Sequence, residues 1–174
     1  MIVLIGESAS GKSTIEKELT KNGLNKIVSY TSRTARQGEI NGVDYHYISK
    51  SEFERLLSEG FFAEHTIYNG WYYGIAKEDC KDNSCVVVEP HGLRLLKKIP
   101  ELNIISFYIK VPEHERLVRI AKRGDNIMEI FRRIISDQGV FQGIEDEVSF
   151  TINGCDTIEN NVNEILNYIG VLNA

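Results

Sequence analysis

The chain has 174 residues, enough for one domain with a full hydrophobic core and too few for two independent ones. Its 42% hydrophobic and 26% charged residues, with only 3 prolines, exclude disordered and fibrous classes. A formal net charge of -5 argues against a nucleic-acid partner, which calls for a basic face.

In chain order, the apolar run Met1 to Ile5 reads as a strand, and a helical pattern follows over Lys12 to Asn22. A second strand is predicted at Lys26 to Tyr30. The segment from Thr31 to Gly74 then breaks the rhythm with Tyr, Phe and Gly. Within it Asp44 to Ser49, Phe61 to Thr66 and Ile67 to Tyr73 read as antiparallel strands. Ser51 and Glu54 form a capping-box pattern, and Asn69-Gly70 is a dipeptide of tight hairpins. Strand and helix alternate again through Cys85 to Val88, Gly92 to Ile99, Ile104 to Ile109, the two helices Glu113 to Lys122 and Met128 to Gln138, Ser149 to Ile152, and Thr157 to Ile169. Most of these apolar runs lack the alternation of a strand with one wet face, so the class is α/β, a doubly wound parallel five-stranded sheet with an inserted β-rich lobe. The predicted division is a single unit, 1–174, with a core of 1–30 and 75–174 and a lobe of 31–74.

Cys80, Cys85 and Cys155 lack metal-ligand spacing and read as reduced thiols. The opening apolar run is too short for the apolar region of a signal peptide, and no stretch reaches the roughly 18 apolar residues of a membrane span. A soluble cytoplasmic protein without a membrane partner is expected. His46, His65, His91 and His114 show no metal spacing.

Gly6-Glu7-Ser8-Ala9-Ser10-Gly11-Lys12-Ser13 fits GxxxxGK(S/T) between a strand and a helix, the context that a phosphate-binding P-loop requires. The glycines let backbone N–H groups face phosphates, aided by the helix N-terminus. Lys12 is expected to reach the β- and γ-phosphates and Ser13 to bind Mg2+. Gly6 through Ser13, with Thr14, form the predicted ATP-binding loop.

Ser29-Tyr30-Thr31-Ser32-Arg33-Thr34-Ala35-Arg36-Gln37-Gly38-Glu39, followed by Gly42-Val43-Asp44-Tyr45-His46-Tyr47, closely resembles the guanylate kinase pattern SxTTRxPRxGExxGxDYxF. The likeness continues through Phe53, Gly60-Phe61-Phe62-Ala63-Glu64 and Asn69-Gly70-Trp71-Tyr72-Tyr73-Gly74. The resemblance implies that Arg33, Arg36, Tyr45 and Tyr73 hold the acceptor phosphate, while Ser29 and Glu64 face the guanine of GMP. The residue chemistry agrees, since arginines offer forked donors to phosphate and a carboxylate accepts from guanine's ring N–H and amino group together. Further on, Glu115-Arg116-Leu117-Val118-Arg119-Ile120-Ala121-Lys122-Arg123-Gly124 resembles the family's arginine-bearing helix and lid, at about 119–133 here, with Arg133 on the next helix. Arg119, Arg123 and Arg133 are thus expected to join Lys12 and Arg33 as catalytic cations, and Asn153 to lie near the adenine. Arg116 and Arg132 belong to the same basic cluster.

Two places depart from the family. Its DxDxQG segment is replaced by Val88-Glu89-Pro90-His91-Gly92, so that Glu89 stands in for one aspartate on the metal side or on the acceptor side. Ile75 replaces the Ser or Thr after Tyr-Tyr-Gly and removes a hydroxyl expected to bond the base, which relaxes guanine preference.

The implied reaction is transfer of the terminal phosphoryl group of ATP to GMP or dGMP, by a monomer or homodimer. The lobe and lid are expected to close over the substrates. Two alternatives are a P-loop kinase for another nucleoside monophosphate or a phosphorylated sugar, and a noncatalytic module that binds phosphorylated protein segments.

Overall fold

The structure is a computed structural model that describes residues 1–36, 38–68, 70–123 and 127–172. Its centre is a five-stranded, all-parallel sheet ordered β2-β7-β1-β8-β9: β1 (Ile2–Ile5), β2 (Asn25–Lys26), β7 (Ser84–Val87), β8 (Ile105–Lys110) and β9 (Phe150–Asn153). The central strand β1 pairs with β7 on one side and β8 on the other, and every one of its residues is buried. One face of the sheet packs Ile2, Leu4 and Phe107 against α1 (Lys12–Lys21) and α6 (Ile158–Leu172). The other packs Val3, Ile5 and Tyr108 against α3 (Pro90–Leu96) and Ile144. Cores on both faces explain the unbroken apolar runs.

The second sheet has four strands in the order β4-β3-β6-β5: β3 (Tyr30–Thr31), β4 (His46–Tyr47), β5 (Phe62–Tyr68) and β6 (Trp71–Ala76). Three expectations are corrected here. The strand predicted at Lys26 to Tyr30 is divided between the sheets: Ile27 still donates to Cys85, but Tyr30 is drawn into an aromatic cluster with His46, Phe61 and Phe62. The Asp44 to Ser49 strand pairs in parallel with β3, not antiparallel, because residues 32–45 provide the long crossover that a parallel pair needs. The cap of α2 (Lys50–Ser58) is Ser49, not Ser51, its Oγ accepting from the Glu52 amide at 3.1 Å. Ile67 belongs to β5, and of the hairpin dipeptide Asn69 lies outside the described residues.

α4 (Glu113–Arg123) and α5 (Ile127–Asp137) follow β8. Residues 124–126 of the expected lid, and the side chains of Arg123 and Arg133, lie outside the described part. Among the described residues no helix is long and apolar enough to cross a membrane.

Candidate active site

The donor side begins where β1 ends. A Cβ on Gly6 would sit 2.6 Å from Ser10 Oγ and 2.8 Å from the Ile109 carbonyl, so only glycine lets the loop turn there. Ala9 and Gly11 adopt left-handed backbone, φ 64° and 101°, and Gly11 leads into α1. Arg119 braces the loop from α4, donating to the Ala9, Ser10 and Gly154 carbonyls, the last at 2.7 Å. Arg116 lies beside it, within 3.7 Å of Asp137, whose carboxylate accepts from the Ser8 amide at 2.8 Å. Lys12 folds back over the loop and donates to the Gly6 and Glu7 carbonyls and to Ser10 Oγ. Burial lowers its pKa to about 8, opposed by the charges of Asp137, Glu7 and Glu89. Ser13 and Thr14 are exposed on the first turn of α1. Glu7 turns away, one oxygen accepting from Tyr108 at 3.0 Å and the other without a partner among the described residues.

The acceptor side is built on the second sheet. A bulge between Phe62 and Glu64 decides its chemistry: Phe62 pairs with Ala76 but Glu64 with Ile75. One extra residue reverses the alternation. Phe62 therefore stacks on Phe53 at 4.3 Å while Glu64 turns to the opposite face and into the cleft. Burial, with a smaller push from Glu89, raises the Glu64 pKa to about 7, and its Oε2 has no partner among the described residues. Gly92 permits this position, since a Cβ there would meet Glu64 Oε2 at 3.1 Å.

Arg33 is buried, held by a forked ion pair to Glu39 at 2.9 and 3.0 Å and lying over the Tyr45 and Tyr47 rings. Glu39 also accepts from Tyr47 and from the Arg36 amide, each at 2.7 Å. Against the cost of burial, these bonds pull its carboxyl down to about 2. Glu39 thus holds both arginines of the motif in place, and its position just after them is the mark it leaves in the sequence. A Glu39→Gln change should cost about 3 kcal/mol in urea denaturation at neutral pH, because a buried guanidinium loses its partner. The wild-type pair should lose its contribution between about pH 4.5 and 2, as acid titrates the lowered carboxyl. Burial raises the Tyr45 pKa to about 12, keeping it a neutral donor.

One cleft brings the two sides together: Gly6, Ser8 and Lys12 on the donor side, and Ser29, Arg33, Arg36, Tyr45, Glu64 and Tyr73 on the acceptor side. Arg132, Asp137 and Thr66 line it too, and of these Asp137 and Thr66 carried no motif signal. A model of the family described as guanylate kinase matches residues 1–169. The chain belongs to the guanylate kinase family. A guanylate kinase of Anaplasma phagocytophilum is 33% identical over 137 aligned residues, covering 72% of this chain and 65% of that relative. One from Fusobacterium nucleatum is 32% identical over 180 aligned residues, covering 88% of this chain and 96% of its own. A crystal structure of guanylate kinase from Anaplasma phagocytophilum matches with a TM-score of 0.74 and 25% identity, over 98% of this chain and 84% of that one.

Within this guanylate kinase fold the two departures have clear positions. Glu89 occupies the position just before α3, ahead of Pro90, and lines the cleft without a side-chain bond to the helix end, within electrostatic reach of both Lys12 and Glu64, so it stands between the two sides. Ile75 is fully buried in the core with Val88 and Leu93 and does not line the cleft. Asn153 lies outside the main cleft, in a second pocket with Glu7, Tyr108 and Arg116, and its Oδ1 accepts from the Cys155 amide at 3.2 Å. The hydroxyl ahead of α6 that accepts from the Asn160 amide, at 3.2 Å, belongs to Thr157.

Glu16, on α1, is the other buried carboxyl raised to about 7, by burial that Lys26 at 3.9 Å only partly offsets. Both Glu16 and Glu64 hold protons more tightly folded than unfolded. Stability should therefore fall as pH rises from about 4.5 to 7, which thermal melts across that range would register.

Proposed function

We propose that the protein transfers the terminal phosphoryl group of ATP to GMP or dGMP, giving ADP and GDP or dGDP. The observation that carries this reading is a single cleft lined by P-loop Lys12 and by the Arg33, Arg36, Tyr45, Tyr73 and Glu64 set. In this reading the P-loop amides and Lys12 hold the ATP phosphates, with Arg119, Arg123 and Arg133 completing the donor charge. Arg33, Arg36, Tyr45 and Tyr73 hold the acceptor phosphate, and Ser29 and Glu64 receive the base. Asn153 lies toward the adenine.

The attacking oxygen belongs to a phosphate whose second pKa is near ~6, so it is already ionised at neutral pH and no general base is needed. The barrier is repulsion between two anions, and the chain meets it with cations from both walls and with positioning. The exposed Ser13 hydroxyl and the Glu89 carboxylate in the cleft fit Mg2+, which takes few protein ligands beside phosphate and water oxygens. Ser13 would hold it directly, and the ion would supply neutralisation of phosphate charge. The second sheet supports an inserted lobe at about 31–74 within a core of about 1–30 and 75–174, and the lid at about 119–133 rests on the family resemblance.

Profiling acceptors tests the reading. With ATP and magnesium, ADP release is expected with GMP and dGMP, less with IMP, and at background with AMP, UMP and CMP. Equal rates with AMP and GMP would refute guanine selection.

A further inference from the structure

Resting on the reading above, Glu64 accounts for only one half of the guanine edge. A carboxylate accepts from the ring N1–H and the 2-amino group, but it has nothing to offer the O6 carbonyl, whose two lone pairs take two donors, of which the single Ser29 hydroxyl supplies at most one. Ile75, directly opposite Glu64 in the hairpin, supplies none, since its side chain is apolar and fully buried in the core.

The same sheet face carries a hydroxyl one step away. Thr66 is two residues beyond Glu64 on β5 and therefore shares its face, and it is in register with Tyr73 on β6. It lines the cleft alongside Glu64, Tyr73 and Ser29. It is partly buried, and its hydroxyl has no partner among the described residues. Residues two apart on a strand stand roughly 6.6 Å apart, a span over which one side chain meets N1 and N2 of a purine while the other meets O6. Relative to Ile75, Thr66 is the diagonal cross-strand neighbour, about 7–8 Å away.

We infer that Thr66 is a specificity-determining residue whose hydroxyl donates to O6 of the acceptor guanine, completing with Glu64 and Ser29 the reading of the base edge. The contact touches no reacting atom and is the same in ground and transition states, so it acts on KM and leaves kcat alone.

Steady-state kinetics and calorimetric binding of the full chain test this with GMP and with 6-thio-GMP, whose sulfur is a poor acceptor at the same position. Thr66→Val keeps a β-branched strand residue and removes the hydroxyl. It should raise KM and Kd for GMP about tenfold, leaving kcat and the KM for ATP within twofold. Thr66→Ser should restore wild-type values. With 6-thio-GMP the Thr66→Val effect should shrink below twofold. If the valine variant folds poorly, Thr66→Ala carries the same expectation. Unchanged GMP affinity, or the same loss with both nucleotides, would overturn the assignment. A wild-type chain that phosphorylates no guanine nucleotide would instead remove the functional reading, and this inference with it.

Discussion

Lys12→Ala should lower the rate of phosphoryl transfer by about 10²–10³ while leaving the fold intact, the magnitude typical of removing one preorganised donor from developing charge. Lys12 is poised for this loss. It is held by the Gly6 and Glu7 carbonyls and by Ser10, all within its own loop, so no other element depends on it. The core contacts of α1 run through Ile15 and Leu19 instead. Circular dichroism and melting temperature should change little, while single-turnover rates collapse. Because burial brings the Lys12 pKa down to about 8, ATP affinity of the wild type should also weaken as pH rises through that value, and Lys12→Ala should abolish this dependence. An alanine variant with wild-type turnover would remove the P-loop from the reaction.

Glu64→Gln is the second large effect. The carboxylate is 6% exposed, and the bulge aims it into the cleft. Glutamine keeps its volume but presents an amino group to one of guanine's donors, losing a charge-assisted hydrogen bond worth ~1.5–3 kcal/mol. kcat/KM for GMP should fall about a hundredfold, with turnover of AMP unchanged. The free protein should respond in the opposite sense. Its raised pKa means that the buried Glu64 carboxylate costs stability once ionised, progressively from about pH 4.5 to 7 and fully above that. Glu64→Gln should therefore melt higher than wild type at pH 8 and equal to it near pH 4. A variant that lost both guanine turnover and stability would point to a structural role for the residue.

Much of this was legible in the sequence, for physical reasons that differ from element to element. Buried parallel strands such as Ile2–Ile5 are apolar throughout, because both of their faces meet a core. The loop from Gly6 to Ser13 is constrained by close approach at Gly6 and by left-handed backbone at Gly11, so its motif reads directly. What stayed hidden depended on register and on distant partners. Tyr30 leaves the first sheet because Phe61 and Phe62, far along the chain, offer it an aromatic cluster. The face presented by Glu64 turns on one extra residue, Ala63, whose bulge has no compositional mark. Asp137 reaches Ser8 across 129 positions, and Thr66 looks like any strand threonine until the hairpin register sets it beside Tyr73. The missing hydroxyl at Ile75 is plain in the sequence, whereas its complete burial in the core with Val88 and Leu93 emerges only in the fold.

The central claim is that one cleft brings ATP and GMP end to end so that phosphate passes between them without water. Phosphorus NMR of the purified full chain with ATP, GMP and magnesium measures this most directly. The account expects one GDP and one ADP formed for each GMP and ATP consumed, with inorganic phosphate at background. ATP loss that yields inorganic phosphate without GDP, or no change in either nucleotide, would contradict it.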